Sequence, residues 1–306
     1  MLMRLGNLAA FLILPFLLIG VINRVKALWS GRKGPPLFQS LFDISRLFRK
    51  APVYSTTTTL VFRIGPYIFL ATAAGSAALA PLLGSAPLLS FPFDFVWFAY
   101  VWGLGRVVIM LAALDTGSSF EGMGAAREAT FSTLLEPALF LVLGALCLQS
   151  GTHSLHEALV LHPHDRESTV VWIVSIISLL IALQAETARM PVDDPGTHLE
   201  LTMVHEVMTL DHSGPELASI QWGSAIKLMV GASIIATLLN PWSGSGTPSA
   251  ALMNLFLCVT VAVVIGTVES LIARLRLRTV PRYILISIVA GMVALLATTW
   301  RLGAPV

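Results

Sequence analysis

Eight apolar segments, each long enough to cross a bilayer, constrain this chain more than any other feature. They lie near residues 5–25, 60–83, 91–114, 130–150, 169–187, 219–239, 251–273 and 282–303. A helix that spans the hydrocarbon core needs about 20 mostly apolar residues. The charged fraction agrees: 12% of the 306 residues, against roughly 25% in a soluble domain. The expectation is an all-α polytopic membrane protein, a single transmembrane domain over 1–306. No periodic repeat or low-complexity linker marks a second domain. The net charge of +2 does not point to nucleic acid, because the basic residues are segregated by loop.

Lysine and arginine favour cytoplasmic loops. The loop after the first segment holds Arg24, Lys26, Arg32, Lys33, Arg46, Arg49, Lys50 and Arg63; the loop after the seventh holds Arg274, Arg276, Arg278 and Arg282. The stretches 81–92 and 240–250 hold none. Alternation over eight helices then puts both termini outside and the odd-numbered loops in the cytoplasm. The first apolar run, Leu8 to Ile22, lacks a small-residue cleavage site and is followed by Arg24 and Lys26. It reads as an uncleaved first helix in the cell (inner) membrane.

Two cytoplasmic stretches are amphipathic. Leu37, Leu41, Ile44, Leu47 and Phe48 recur at helical spacing beside Arg46, Arg49 and Lys50, as in a helix lying in the interface. Thr197 to Leu210 mixes His198, Glu200, His205 and Glu206 with Leu199, Met203, Val207 and Leu210, again with helical period.

The charges near the membrane are few and one-sided. Arg106 and Asp115 fall in the inner half of the third segment, Glu136 near the cytoplasmic start of the fourth, and Lys227 about two turns into the sixth. Glu186 ends the fifth and Glu269 the seventh. Glu186 opens the acidic stretch Glu186-Thr187-Ala188-Arg189-Met190-Pro191-Val192-Asp193-Asp194-Pro195. Membrane proteins keep buried ionisable groups for ion paths, proton relays or substrate charge. A cluster in one leaflet fits a polar cavity entered from the cytoplasm, or half of a proton path. Snorkelling into the headgroups is the plainer reading for Asp115, which begins a polar loop. His153, His156, His162 and His164 share an outer loop with Asp165 and Glu167. They read as a solvated loop before they read as a metal site. Cys147 and Cys258 lie in separate apolar runs without a C-x-x-C, so the chain alone does not supply an iron–sulfur ligand set.

Several motifs resemble a known family. Glu186-x-x-Arg189-x-Pro191-x-Asp193 is similar to the acidic loop of the eight-helix subunit that joins the arms of respiratory complex I. So are Gly31-Arg32-Lys33-Gly34-Pro35-Pro36-x-x-Gln39-x-x-x-Asp43 with Leu47-Phe48-Arg49-Lys50, and Gly124-Ala125-Ala126-Arg127-Glu128 followed by Glu136. A finer resemblance is to the homologous subunit of group 4 membrane-bound nickel–iron hydrogenases, which include formate hydrogenlyase. It rests on Asp115-Thr116-Gly117-Ser118-Ser119-Phe120 with Gly122-Met123-Gly124, on Thr197 to Glu206 running into Asp211-His212-Ser213-Gly214, and on Ala273-Arg274-Leu275-Arg276-Leu277 followed by Pro281-Arg282. The complex I version usually has Phe after the proline of the acidic loop, where Val192 stands here. Asp211 stands where that version tends to have Glu before an aromatic.

The resemblance implies a subunit that anchors a cytoplasmic hydrogenase arm and couples its electron transfer to proton or sodium translocation. Its partners would be the hydrogenase large subunit with the nickel–iron centre, the iron–sulfur small subunit and antiporter-like membrane subunits. This chain would hold no cofactor, and quinone is the lesser expectation. The loops 23–59, 115–129, 188–218 and 274–282 would form the docking surface, with Arg32, Lys33, Gln39 and Asp43 in the first. Glu136, Glu186, Asp193, Asp194, Glu200, Glu206, Asp211 and Glu269 would carry the coupling, with Arg106, Arg127, Arg189, Lys227 and Arg274 as charge partners. Three alternatives stand beside this reading. One is the quinone-site subunit of an NADH:quinone oxidoreductase. Another is a related complex in which the nickel ligands of the large subunit are lost. The third, from another class, is a stand-alone ion transporter, which would be expected to show an internal repeat or broken helices near mid-membrane.

Overall fold

The computed structural model describes residues 2–160, 162–163, 165–193 and 203–303. Among them ten α-helices follow in order: α1 (Leu2–Trp29), α2 (Gln39–Phe48), α3 (Leu60–Leu79), α4 (Asp94–Asp115), α5 (Ser119–Ser150), α6 (Leu155–Leu159), α7 (Arg166–Glu186), α8 (Gly214–Leu239), α9 (Pro248–Leu271) and α10 (Val280–Gly303). All but α2 and α6 are long and apolar enough to cross a membrane. The chain is an all-α, multi-pass membrane protein.

The bundle is built around α8. Of its most apolar window 83% is buried, against 28–56% for the other seven spans. Small residues let neighbours close on a membrane helix where side-chain bulk would hold them apart. At Gly223 an added Cβ would lie 2.7 Å from the Phe69 ring of α3, and at Gly231 it would overlap Leu183 of α7. Hydroxyls do similar work between α7 and α10: Ser178 Oγ donates to the Ser287 carbonyl at 2.9 Å, and Ser287 Oγ returns a bond to the Ser178 carbonyl at 3.0 Å. The amphipathic stretch forms α2, which turns Ile44 onto Phe16 and Ala218. It sits between the feet of α1 and α8.

The α3–α4 connection, on the face that carries few charges, is tied down by neutral polar groups. Ser233 Oγ lies 2.6 Å from the Pro81 carbonyl and 2.8 Å from that of Leu82, and Asn254 Nδ2 also reaches Leu82 O. Asp94, fully buried, accepts the Leu155 N–H at 2.6 Å. It is a buried carboxylate away from the other charges, spent on holding α6. His153 of the same region packs on the Phe93 ring, and His164 lies outside the described residues.

Three expectations change. Helix α5 has 32 residues and starts at Ser119, well before the 130 that hydropathy gives. Its first turns are polar, yet partners outside the helix hold them: Glu121 accepts the Asp211 N–H at 3.0 Å and Arg127 donates to the Met203 carbonyl at 2.8 Å. Glu136 therefore sits near the middle of its helix, not its start. Likewise α8 starts at Gly214, so Lys227 is halfway along it. The helix expected over 197–210 falls partly on 194–202, outside the described residues; from Met203 on the backbone makes turns and one 3-10 turn, Val207–Thr209.

Asp115 is neither a coupling group nor a snorkelling one. Its carboxylate accepts the Thr59 and Phe62 N–H groups at 2.7 and 3.2 Å and the Thr59 hydroxyl at 2.8 Å. It caps α3 from the end of α4, which satisfies donors that a helix start leaves open. Asp115→Ala is expected to cost about 1 kcal/mol, the usual size of a lost cap, read as a lower unfolding temperature of the detergent-solubilised chain.

Candidate functional site

Four charged side chains form a continuous chain in the middle of the bundle. Glu136 Oε1 lies 3.2 Å from Arg106 Nη2; Arg106 Nη1 lies 3.2 Å from Glu186 Oε1; Glu186 Oε2 lies 3.5 Å from Lys227 Nζ. Arg106, Glu186 and Lys227 are buried, while the Glu136 side chain is 46% exposed on the flank of the bundle. The order of charge is minus, plus, minus, plus. Each buried charge of this chain of four faces an opposite one, which offsets its desolvation. Lys227 Nζ also donates to the Trp102 carbonyl at 3.0 Å and stands 5.2 and 5.5 Å from the centres of the Phe69 and Trp102 rings.

The local sequence Trp102-Gly103-Leu104-Gly105-Arg106 makes this possible. A Cβ at Gly103 would lie 3.1 Å from Glu136 Oε1, and one at Gly105 would lie 2.6 Å from Thr72 Oγ1 and 3.6 Å from Lys227 Nζ. The two glycines open the α4 surface so that both groups reach it. A side chain at 103 would crowd Glu136, and one at 105 would clash with Thr72 of α3 beside the cluster.

A cavity of about 550 Å³ opens on this cluster. Apolar side chains such as Ile19, Ile44, Phe69, Ile109 and Ile220 form part of its wall. Its charged lining is balanced: Lys26, Arg106, Arg189 and Lys227 against Asp43, Glu128, Glu186 and Glu206. Beyond Glu186, towards the other face, the space shrinks to about 20 Å³ among Phe98, Leu143, Leu179, Leu183 and Ile234. That is room for about one water molecule. The polar space therefore ends at the cluster.

The acidic stretch roofs the cavity. Glu269 of α9 pairs with Lys26 of α1, its Oε2 2.9 Å from Lys26 Nζ, and faces Arg189 at 3.5 Å. Asp193 Oδ2 accepts the N–H groups of Val204 and His205, both at 3.1 Å, while Arg274 Nη2 meets Asp193 Oδ1 at 2.7 Å. Leu275 N–H donates to the Pro191 carbonyl at 3.0 Å. Stretch 187–193, segment 203–212 and the α9–α10 loop are thus held at one carboxylate.

Of the residues expected from sequence, Arg106, Arg189, Glu186, Glu206 and Lys227 line the cavity. Glu136 reaches it through Arg106, and Glu269 stands behind Lys26 and Arg189. Asp193, Arg274 and Arg127 act on the roof. Asp211 is exposed and gives only its backbone N–H, to Glu121. Arg32 and Lys33 are exposed, as a docking loop requires, whereas Gln39 donates to Asp43 within α2 at 2.9 Å. Asp194 and Glu200 lie outside the described residues. Sequence reasoning missed Glu128 as a wall residue. Buried on α5, its Oε2 lies 3.7 Å from His205 Nδ1. The hydropathy boundary at 130 puts it in a loop; its spacing of eight from Glu136, two helical turns, is the signal that finds it. Among the described residues no group of three His, Cys, Asp or Glu side chains stands together as metal ligands.

The family described as NADH dehydrogenase matches residues 3–300. The chain belongs to this family. Within the NADH dehydrogenase family it is 29% identical over 256 residues to hydrogenase-4 component C of Escherichia coli (strain K12), covering 84% of this chain and 80% of that protein. It is 26% identical over 282 residues to formate hydrogenlyase subunit 4 of the same organism, covering 90% and 91%. To a subunit of the NADH-quinone oxidoreductase of Methylococcus capsulatus (strain ATCC 33009 / NCIMB 11132 / Bath) it is 24% identical over 249 residues, covering 78% and 77%. The fold is shared with a chain of the membrane-bound sulfane sulfur reductase, an archaeal respiratory membrane complex. The TM-score is 0.77 at 20% identity, covering 97% of this chain and 100% of that one.

The cluster makes a stability prediction. Arg106→Gln leaves Glu186 beside Lys227 alone and is expected to destabilise the chain by about 3–5 kcal/mol, as for other broken buried pairs. Adding Glu186→Gln should recover part of that, giving a coupling of roughly 1–3 kcal/mol. Thermal unfolding of the two single variants and the double variant measures it.

Proposed function

We propose that the chain is the membrane subunit of an energy-converting, hydrogenase-type complex. It anchors a hydrophilic arm carrying the nickel–iron centre and iron–sulfur clusters, and passes the arm's redox event to antiporter-like membrane subunits as a change of charge. The face carrying loops 23–59, 115–129, 188–218 and 274–282 meets the arm in the cytoplasm. Both termini then lie outside the inner membrane. The chain itself carries no cofactor and no catalytic centre.

One observation carries this reading. The cavity opens towards the basic loops, ends at Arg106, Glu186 and Lys227, and is sealed beyond them by apolar side chains. A stand-alone transporter needs access from both faces. Here the polar groups turn sideways instead, to Glu136 on the lipid-facing flank. A half-exposed carboxylate at that depth is costly unless a neighbouring subunit covers it. The balanced cavity wall is suited to signalling: adding or removing one proton leaves an uncompensated charge that its neighbours must answer.

A second reading keeps the same geometry and places a quinone in the cavity. Its volume lies in the range of small-molecule sites and its wall is partly apolar. Solvent extraction of the purified complex for bound quinone separates the two readings; a stoichiometric quinone favours the second.

Glu186→Gln tests the coupling. The variant complex should keep its hydrogen chemistry with artificial dyes near the wild-type rate and lose ion pumping in vesicles. Pumping at the wild-type ratio would overturn the proposal.

A further inference from the structure

The foot of α8 holds two buried titratable side chains that the cavity and its charge chain do not use. His212 and Glu216 are both fully buried, one turn apart, with Nδ1 and Oε2 separated by 3.5 Å. Neither imidazole nitrogen has a hydrogen-bond partner among the described residues, while the Glu216 carboxylate has the Tyr54 phenol as its hydrogen-bonding neighbour. Buried polar groups are nearly always bonded, and an exception needs a reason.

The surroundings fix the pair in place. The imidazole stacks on Phe62 of α3, with ring centres 4.0 Å apart and planes 9° apart. Just beyond it, the Val53 N–H donates to Ser213 Oγ at 2.9 Å. Gly214, at φ +54°, brings the start of α8 so close to the Lys50 carbonyl that a Cβ would lie 2.9 Å from it. The pair is therefore joined to the stretch 50–53 of the first basic loop. Tyr54 follows directly. The Glu216 carboxylate beside it pushes the phenol up to about 12, and the Arg63 guanidinium lies 4.4 Å over its ring. Tyr67 of α3 also lies near Glu216. On the α5 side, Glu121 is occupied by the Asp211 N–H.

Two proton states are open to this pair. With the exchangeable proton present, a neutral imidazole faces a neutral acid, or an imidazolium faces a carboxylate; the net charge is zero. Without it, a neutral imidazole faces a carboxylate and the net charge is minus one. Burial favours the first state. The positive end of α8 and the Arg63 guanidinium favour the second. His212 is pushed down to about 4 by burial, so the imidazole is neutral at neutral pH and stands 3.5 Å from the Glu216 carboxylate. We propose that His212 and Glu216 form a second proton-binding site, distinct from the cavity carboxylates and loaded by one proton from the side of Tyr54. Loading moves one proton from solution onto the pair and breaks no other bond. Because Tyr54 and Arg63 flank the stretch 55–59, a shift of this loop under a docked partner changes which state is favoured. The site stands whether or not the cavity carries the coupling.

Infrared titration of the full chain in lipid nanodiscs tests this. The wild type should show a carboxyl stretching band whose intensity follows pH, and Glu216→Gln should remove it. His212→Phe, which keeps the stack on Phe62, and Tyr54→Phe, at the edge of the loop, should leave the band but move its midpoint by about one pH unit or more. A spectrum unchanged by Glu216→Gln overturns the proposal. So does a midpoint that neither His212→Phe nor Tyr54→Phe moves, which would make Glu216 an isolated acid. If Glu216→Gln does not fold, those two midpoints decide the matter alone.

Discussion

The arrangement depends on one guanidinium. A guanidinium offers only donors and no acceptor, and the buried position of Arg106 obliges the structure to deliver anions to it. Glu136 arrives from α5 and Glu186 from the end of α7, both at 3.2 Å. Glu186 in turn fixes where Lys227 of α8 can rest. Four helices are thereby placed around a single planar fork, with glycine at 103 where Glu136 passes close to α4. The rest follows from this demand. The small residues of α8 are a packing solution for a helix enclosed on nearly every side. The apolar wall between Phe98 and Ile234 keeps the charges from a second contact with water.

The spanning helices are legible in the sequence because lipid leaves a chain little choice. A run of about 20 apolar residues has to satisfy its backbone internally, so number and type can be read from composition. Boundaries are less legible where a helix leaves lipid. Ser119 to Ala129 is polar and looks like a loop, yet it is the first third of α5. Its stability comes from Asp211 and Met203, residues far along the chain. The one-sided charge pattern points to the right residues in Glu186, Arg106 and Lys227, since desolvation makes such residues rare. It does not show which are joined. Glu128 and Glu216 are hidden because each lies on a polar helix start that hydropathy assigns to a loop. Asp115 shows the reverse: a carboxylate in the same pattern whose work is to cap a helix.

Two kinds of polar chemistry divide the molecule. Towards one face, charges are paired across a cavity. Towards the other, Ser233, Asn254 and Thr237 hold the α3–α4 connection with neutral hydrogen bonds that pH leaves alone. On the function proposed above, the neutral half is the part against which a charge-driven displacement acts.

The clasp at Asp193 bears on how the protein is made. Its two backbone donors come from residues soon after it, but its cation, Arg274, lies 81 residues further on. Until α9 has been synthesised and inserted, the roof of the cavity lacks that cation. Glu269, which anchors Lys26 and Arg189, also arrives with α9. During biogenesis the cavity is therefore an open cleft, finished only when the last quarter of the chain emerges. A partner that recognises the closed roof would by that fact bind only chains that have made α9 and the loop after it.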